Sequence, residues 1–347
     1  MKVVDFFSGC GGTSCGLKAA GLTILAGIDN DPDAAMTYQA NFPRAAFWAD
    51  DIRAIPTTAL EPLLSATSRE PLLFSACAPC QPYSRQRGGS PSPSDERLSL
   101  LLELTRFLRH YQPEFVFLEN VPGLKHSVSS GAYRAFTTEL TALGYDYEAQ
   151  EIECGRYGVP QVRTRLVLIG SRIGPVHFPR PTHGPNAFAT VRDWIGPYEP
   201  LAAGETHPTI PNHRAAALSD LNLTRIRATR EGGSWRDWPK ALLPDCHRDF
   251  AGFSDVYGRL RWDRPSPALT TRCISYSNGR YGHPDQDRAL SVREAAALQT
   301  FPMDFVFHGS LNSTARQVGN AVPVLLAQRF GEAFAAHVAP EPVRNAS

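Results

Sequence analysis

In the first third of the chain, five short apolar runs each end on a glycine turn, an acid or a cysteine, and this repetition constrains the fold more than any other feature. Residues 2–7 (Lys-Val-Val-Asp-Phe-Phe) lead into Ser8-Gly9-Cys10-Gly11-Gly12. Leu22 to Ile28 ends at Asp29, and a short run near Ala45–Ala49 ends at Asp50-Asp51-Ile52. Pro71 to Ala76 leads to Pro79-Cys80, and Phe115 to Leu118 ends in Glu119-Asn120-Val121-Pro122. Helical segments fit between them. One follows the glycines to about Ala20, and another starts at Asp31 with Pro32 in its first turn, a favoured start. Leu98, Leu101, Leu102, Thr105 and Leu108 recur at helical spacing, and a further helix covers about Ala132 to Leu143. Strands alternating with helices predict an α/β fold with a doubly wound, mostly parallel sheet that takes ligands outside the carboxyl ends of its strands. Gly9, Asp29, Asp51, Cys80 and Glu119 all fall on that edge.

Two apolar stretches, near Tyr145–Ile152 and Leu166–Ile169, flank Gln161-Val162-Arg163-Thr164-Arg165 and read as an antiparallel extension of the sheet. Periodicity then weakens, and residues 179–284 are rich in Pro, Gly, His and Arg with scattered Trp. They are expected to form a second, smaller domain of short strands and loops. Residues 1–178 plus 285–347 form the main domain, with helices over Ser291–Gln299 and about Pro323–His337. The middle region carries 14 Lys/Arg against 10 Asp/Glu, whereas the remainder carries 21 against 24. Of the 35 basic residues 31 are Arg, the side chain that forks onto phosphate and guanine. No run of eighteen apolar residues occurs and Met1-Lys2-Val3 enters a strand at once, so neither a membrane span nor a signal peptide is expected. Seven cysteines without disulfide-framework spacing fit reduced thiols in a cytoplasm.

Several strand-end residues have chemistry to offer. The glycine turn lets backbone approach a ligand and points helix N–H groups at it. Asp29 follows Gly9 by twenty residues, the distance at which an acid meets ribose hydroxyls, and a nicotinamide cofactor suits that geometry as well. Asp51 suits an adenine amino group or a solvated turn. Cys80 follows Pro79, whose fixed φ stiffens the approach to a thiol that must attack at a defined angle. Cys77 and Cys80 form a C-x-x-C, but no second metal-type pair follows, so no metal is expected. Glu119, on the neighbouring strand, suits proton transfer. Arg163 and Arg165, two apart on an extended segment, point to one face and suit an anionic or carbonyl-bearing substrate.

Asp5-Phe6-Phe7-Ser8-Gly9-Cys10-Gly11-Gly12, Pro79-Cys80-Gln81, Glu119-Asn120-Val121, Gln161-x-Arg163-x-Arg165 and Gln317-Val318-Gly319-Asn320-Ala321-Val322-Pro323 occur in the order seen in DNA cytosine-5 methyltransferases, and the chain resembles that family over nearly its whole length outside roughly 180–260. The resemblance implies a Rossmann-like domain that transfers methyl from S-adenosyl-L-methionine to C5 of a cytosine flipped out of duplex DNA. By it, Phe7, Gly9, Gly11, Gly12, Asp29, Asp51, Ile52, Leu100 and Asn320 line the cofactor site. Cys80 is the nucleophile, Glu119 holds and protonates the base at N3, and Asn120 supports it. Arg163 and Arg165 grip the pyrimidine and a nearby phosphate. Tyr83 stands where Phe is usual, and Ala78 replaces a frequent Gly.

For DNA contact, Gln81 is a candidate, and the loop Ser84–Arg97, with Arg85, Arg87 and Arg97, is expected to close over the flipped base. Arg236 and Arg261 lie in Trp/Arg-interleaved stretches expected to read the target, although tryptophans in so small a domain are more often core. Thr270-Thr271-Arg272 resembles the threonine-bearing turn by which family members approach the target. The expected partners are duplex DNA and a cognate restriction endonuclease, with no membrane, and the expected state is a monomer. A tRNA methyltransferase, a non-catalytic DNA-binding relative and a nicotinamide oxidoreductase are the alternatives.

Overall fold

The computed structural model describes residues 1–65, 70–79, 100–126, 131–184, 187–247 and 255–338. The first half alternates as expected: β1 (Lys2–Phe6), α1 (Gly12–Ala19), β2 (Thr23–Ile28), α2 (Pro32–Asn41), β3 (Ala46–Trp48), α3 (Glu61–Ser65), β4 (Leu72–Ala76), α4 (Leu100–Tyr111), β5 (Phe115–Asn120), α5 (Gly123–His126) and α6 (Gly131–Ala142). Local chemistry sets several of these boundaries. The Asp31 side chain accepts from the Asp33 and Ala34 N–H groups at the start of α2, where Pro32 needs no donor. The apolar run of β5 continues into Glu119 and Asn120, both of which are strand residues.

β6 (Asp146–Glu153), β7 (Gln161–Val162) and β8 (Thr164–Ser171) follow. The main sheet has seven strands in the order β3-β2-β1-β4-β5-β8-β6. The first five are mutually parallel, while β8 runs antiparallel to both β5 and β6. The antiparallel extension is therefore a hairpin whose second strand, fully buried along most of its length, inserts between β5 and the exposed first strand. The order in which successive strands are added reverses between the parallel neighbours β1 and β4, the topological switch at which such sheets take ligands. One face packs on α1 and α11, through Leu17, Phe117, Phe330 and Phe334, and the other on α4 and α6, through Phe107, Leu108, Phe136 and Leu140.

The middle region holds α7 (Val191–Ile195), α8 (Asp220–Arg227), single-turn helices and β9 (Ser266–Pro267), which pairs in parallel with β7. A small core of its own joins Ile226, Trp235, Trp238, Tyr276 and Ala289. Val191, Leu260, Leu269 and Ile274 instead pack into the main core, so the two regions share an apolar seam. The chain closes with α9 (Val292–Leu298), α10 (Leu311–Asn320) and α11 (Val324–Val338). α10, which carries the Gln317-Val318-Gly319-Asn320 segment, is a helix that periodicity had not marked.

Candidate active site

At the switch between β1 and β4 lies a cavity of about 370 Å³, lined from the glycine turn, β2, the Asp51 turn, the ends of β4 and β5, both arginines and α10. The turn is built on unusual backbone. Phe7 sits at φ 55°, a left-handed conformation that costs a non-glycine residue about 1–3 kcal/mol and is stored where the surroundings impose it. Asp5, fully buried beneath the turn, accepts from Ser14 Oγ and Ser75 Oγ, both at 2.6 Å, and so pins α1 and β4 to β1. Burial pushes its carboxyl up to about 6 despite those donors. Phe7, Gly9 and Gly12 line the cavity as expected. Gly11 does not. It starts α1 at φ 96°, and a Cβ there would stand 2.5 Å from the Phe42 ring, so its place is in turn packing.

Asp29 Oδ2 accepts from the Gly9 N–H at 2.8 Å and Oδ1 from the Asp31 N–H at 2.9 Å. Each oxygen keeps a lone pair for a ligand hydroxyl, and burial raises the carboxyl's pKa. Asp51, Ile52, Leu100 and Asn320 also line the cavity. Asp51 is already engaged by Arg53, with Nη2 at 2.7 Å and Nε at 3.0 Å, and those hydrogen bonds hold its pKa below the usual carboxylate range. An amine ligand at Asp51 therefore competes with a guanidinium. Arg316 is a lining residue that sequence reasoning did not single out; it bridges α10 to Asp31 at 2.8 Å.

On the other side, Ala76 of β4 is in register with Leu118 of β5, so one further step along these parallel strands brings Cys77 beside Glu119. Glu119 is only 3 % exposed. Its Oε2 accepts from the Cys77 thiol at 3.0 Å, and Arg165 Nε lies 2.9 Å from Oε1. That second contact is an ion pair without hydrogen-bond alignment, which leaves Oε1 with no aligned donor. Asn120 Nδ2 donates to the Ala78 carbonyl at 2.9 Å, fixing the chain just ahead of Pro79. Arg163, 4 % exposed, donates to the Leu269 carbonyl at 3.1 Å and the Ala321 carbonyl at 3.3 Å. Both arginines line the cavity, yet they differ: Arg165 faces the carboxylate, and Arg163 braces two distant backbone segments.

Cys80, Gln81, Ser84, Arg85, Arg87 and Arg97 lie outside the described residues. Pro79, directly before Cys80, lines the same cavity as Glu119. In the middle region Arg236 and Arg261 are exposed, whereas Trp235 and Trp238 are buried. Arg236 lies with its guanidinium carbon 4.9 Å from the Trp235 ring centre. Thr270 Oγ1 accepts from the Tyr281 hydroxyl at 3.2 Å, and Arg272 beside it is exposed. The Thr270–Thr271 backbone packs directly on Gly319 of α10.

The sheet order, the glycine turn at its reversal and the acids along its carboxyl edge define a doubly wound, Rossmann-like α/β protein. The same fold occurs in a prophage-encoded E. coli chain assigned as a DNA modification methyltransferase (TM-score 0.76, 21 % identity, 97 % of this chain and 99 % of that one). It also occurs in the Entamoeba histolytica methyltransferase EhMeth (TM-score 0.68, 16 % identity, 98 % and 99 % covered). The family model described as C-5 cytosine-specific DNA methylase matches residues 1–336, and the chain belongs to that family as a DNA (cytosine-5-)-methyltransferase. Among relatives, the Type II methylase M.HgiDII of Herpetosiphon aurantiacus is 39 % identical over 93 % of this chain and 92 % of its own length. The Type II methyltransferase M1.HphI of Haemophilus parahaemolyticus is 37 % identical over 96 % and 86 %. Membership sets aside a nicotinamide oxidoreductase. Among the described residues no helix is long and apolar enough to cross a membrane.

Proposed function

We propose that the protein transfers a methyl group from S-adenosyl-L-methionine to C5 of a cytosine flipped out of a specific duplex DNA sequence, through a covalent bond between Cys80 and C6. The observation that carries this reading is the single cavity shared by the glycine turn, Asp29 and Glu119, with the residue before Cys80 on its wall. The cavity's volume suits a small-molecule cofactor. Space opens above the left-handed Gly9, the Phe7 ring is an aromatic surface for an adenine, and Asp29 has spare acceptor capacity for ribose hydroxyls. Ile52, Leu100 and Asn320 complete the enclosure. When bound, the cofactor supplies an electrophilic sulfonium methyl.

The chain's own groups make C5 able to accept it. The cytosine ring is aromatic and C5 is a poor nucleophile, so the Cys80 thiolate adds to C6 while Glu119 gives a proton to N3. The resulting enamine is nucleophilic at C5. After methylation a base removes the C5 proton, the Cys80–C6 bond breaks and N3 returns its proton to Glu119. Asn120 holds the segment leading to Cys80, and Arg165 keeps Glu119 facing the cavity. Flipping the base costs roughly a few kcal/mol of stacking. Exposed Arg236, Arg261 and Arg272 are the DNA-facing candidates in the middle region, and a bidentate Arg–guanine contact is worth about 1–3 kcal/mol of discrimination. Residues 179–284 serve as the target-recognition domain, the enzyme acts as a monomer, and its functional partner is a cognate endonuclease, as the Type II relatives suggest.

Bisulfite sequencing of a plasmid that expresses the chain should show one methylated cytosine context. Cys80→Ala should abolish that mark while calorimetry finds cofactor affinity within about twofold. Full methylation by the variant would refute the covalent route.

A further inference from the structure

We propose that the Cys77 thiol is a positioning residue for Glu119, holding one carboxylate oxygen so that the other is presented to the base. The proposal rests on the reading of Glu119 given above. The contact follows from strand register, since Cys77 and Glu119 are the next residues beyond the Ala76–Leu118 pair. Both line the cavity.

Three observations give the contact weight. The first is its length. Sγ lies 3.0 Å from Glu119 Oε2, whereas the buried thiols of Cys10 and Cys273 stand 3.6 Å from the neutral carbonyls of Gln317 and Ala315. It is the closest of these three thiol contacts and the only one of them made to a carboxyl group. The second is the division of labour at the carboxylate. Cys77 takes Oε2, and Arg165 approaches Oε1 without alignment, so Oε1 is the oxygen without an aligned partner and the one left to meet the base. The third is the geometry of a glutamate. Its terminal torsion is broad and roughly two-fold, so one ion pair to one oxygen leaves the carboxylate plane free to turn. A second contact on the opposite oxygen fixes that plane. A thiol is a weak donor, but it need only set the plane of a carboxylate that Arg165 already approaches from the other side.

The test is a double-mutant cycle read by single-turnover methylation of unmethylated plasmid DNA, with calorimetric binding of S-adenosyl-L-methionine and a DNA gel shift alongside. Cys77→Ala should slow methyl transfer about tenfold, equivalent to about 1.4 kcal/mol, with both affinities within about twofold. Cys77→Ser, which restores a donor, should recover the rate to within about threefold. In a Glu119→Gln background, Cys77→Ala should cause no further loss. Should Cys77→Ala not fold, Cys77→Val, which lacks a donor, carries the same expectation. A Cys77→Ala enzyme at full rate, or a loss that persists undiminished beside Glu119→Gln, overturns the positioning role while leaving Glu119 in place. Full activity of Glu119→Gln alone overturns the reading of Glu119 and this proposal with it.

Discussion

Replacing Glu294 by Gln offers the sharpest probe of how the middle region is held to the catalytic one. Glu294 and Arg288 are 1 % and 0 % exposed, and their two hydrogen bonds, Nη1 to Oε2 and Nη2 to Oε1, are both 2.7 Å. Oε2 also accepts from the Ser291 N–H at 2.8 Å, closing a capping box at the start of α9. Arg288 Nε meanwhile donates to the Leu201 carbonyl at 3.1 Å, so the cluster spans both regions. Burial alone would push the Glu294 carboxyl up; the hydrogen bonds and charge of Arg288 outweigh it and hold the pKa low. A glutamine has one acceptor oxygen where three donors converge, and it leaves the guanidinium buried without a counter-charge. Removing one member of a buried pair costs about 3–5 kcal/mol, more than the net worth of the pair itself. Urea unfolding followed by tryptophan fluorescence should show the midpoint falling by that equivalent with an unchanged slope. The double replacement Arg288→Met with Glu294→Leu should recover most of the loss. A single-variant loss below about 1 kcal/mol, or a double variant no better than the single, would refute the reasoning.

Two further outcomes follow from the same interior. His283 is buried between Glu294 and Asp285, yet burial, aided by Arg288 and Arg259, holds its pKa at about 4 against 6.5 for a free imidazole. Because the folded pKa is the lower, its contribution to stability is complete above pH 6.5 and is lost as pH falls toward 4, at up to about 1.4 kcal/mol per pH unit. Unfolding free energies measured across that window should flatten in His283→Gln, and an unchanged slope would count against the assignment. At Gly319 a Cβ would stand 2.1 Å from the Thr270 carbonyl oxygen. Gly319→Ala should therefore cost at least the 1–3 kcal/mol typical of overpacking and weaken cofactor binding through the adjacent Asn320; unaltered stability and calorimetric affinity would contradict this.

Much of the architecture was legible because its signals are local. A strand that ends on a glycine turn, an Asp31 cap before Pro32 and a Ser291–Glu294 capping box each declare themselves within a few residues. The periodicity of α10 is weak in sequence because its apolar stripe is only Leu311, Ala315 and Val318 and its other buried residues are small or polar. Ser310, which accepts from the Ser313 N–H, is nonetheless a capping signal that marks its start. The order of β8 and β6 was equally hidden, since hairpin periodicity does not say which strand meets β5.

The site divides along the same line. Sequence alone determined which residues stand at the carboxyl edge, because alternation and turn chemistry act over short distances. Tertiary structure decided what each one touches. Arg163 and Arg165 are equivalent by spacing, but Arg163 is claimed by carbonyls 106 and 158 residues away while Arg165 meets Glu119. Cys77 gained its partner only through the register of two strands, and Gly11 left the cavity because the Phe42 ring packs against it. A side chain's partner is chosen by the packing of segments distant in sequence, and no local preference encodes that choice.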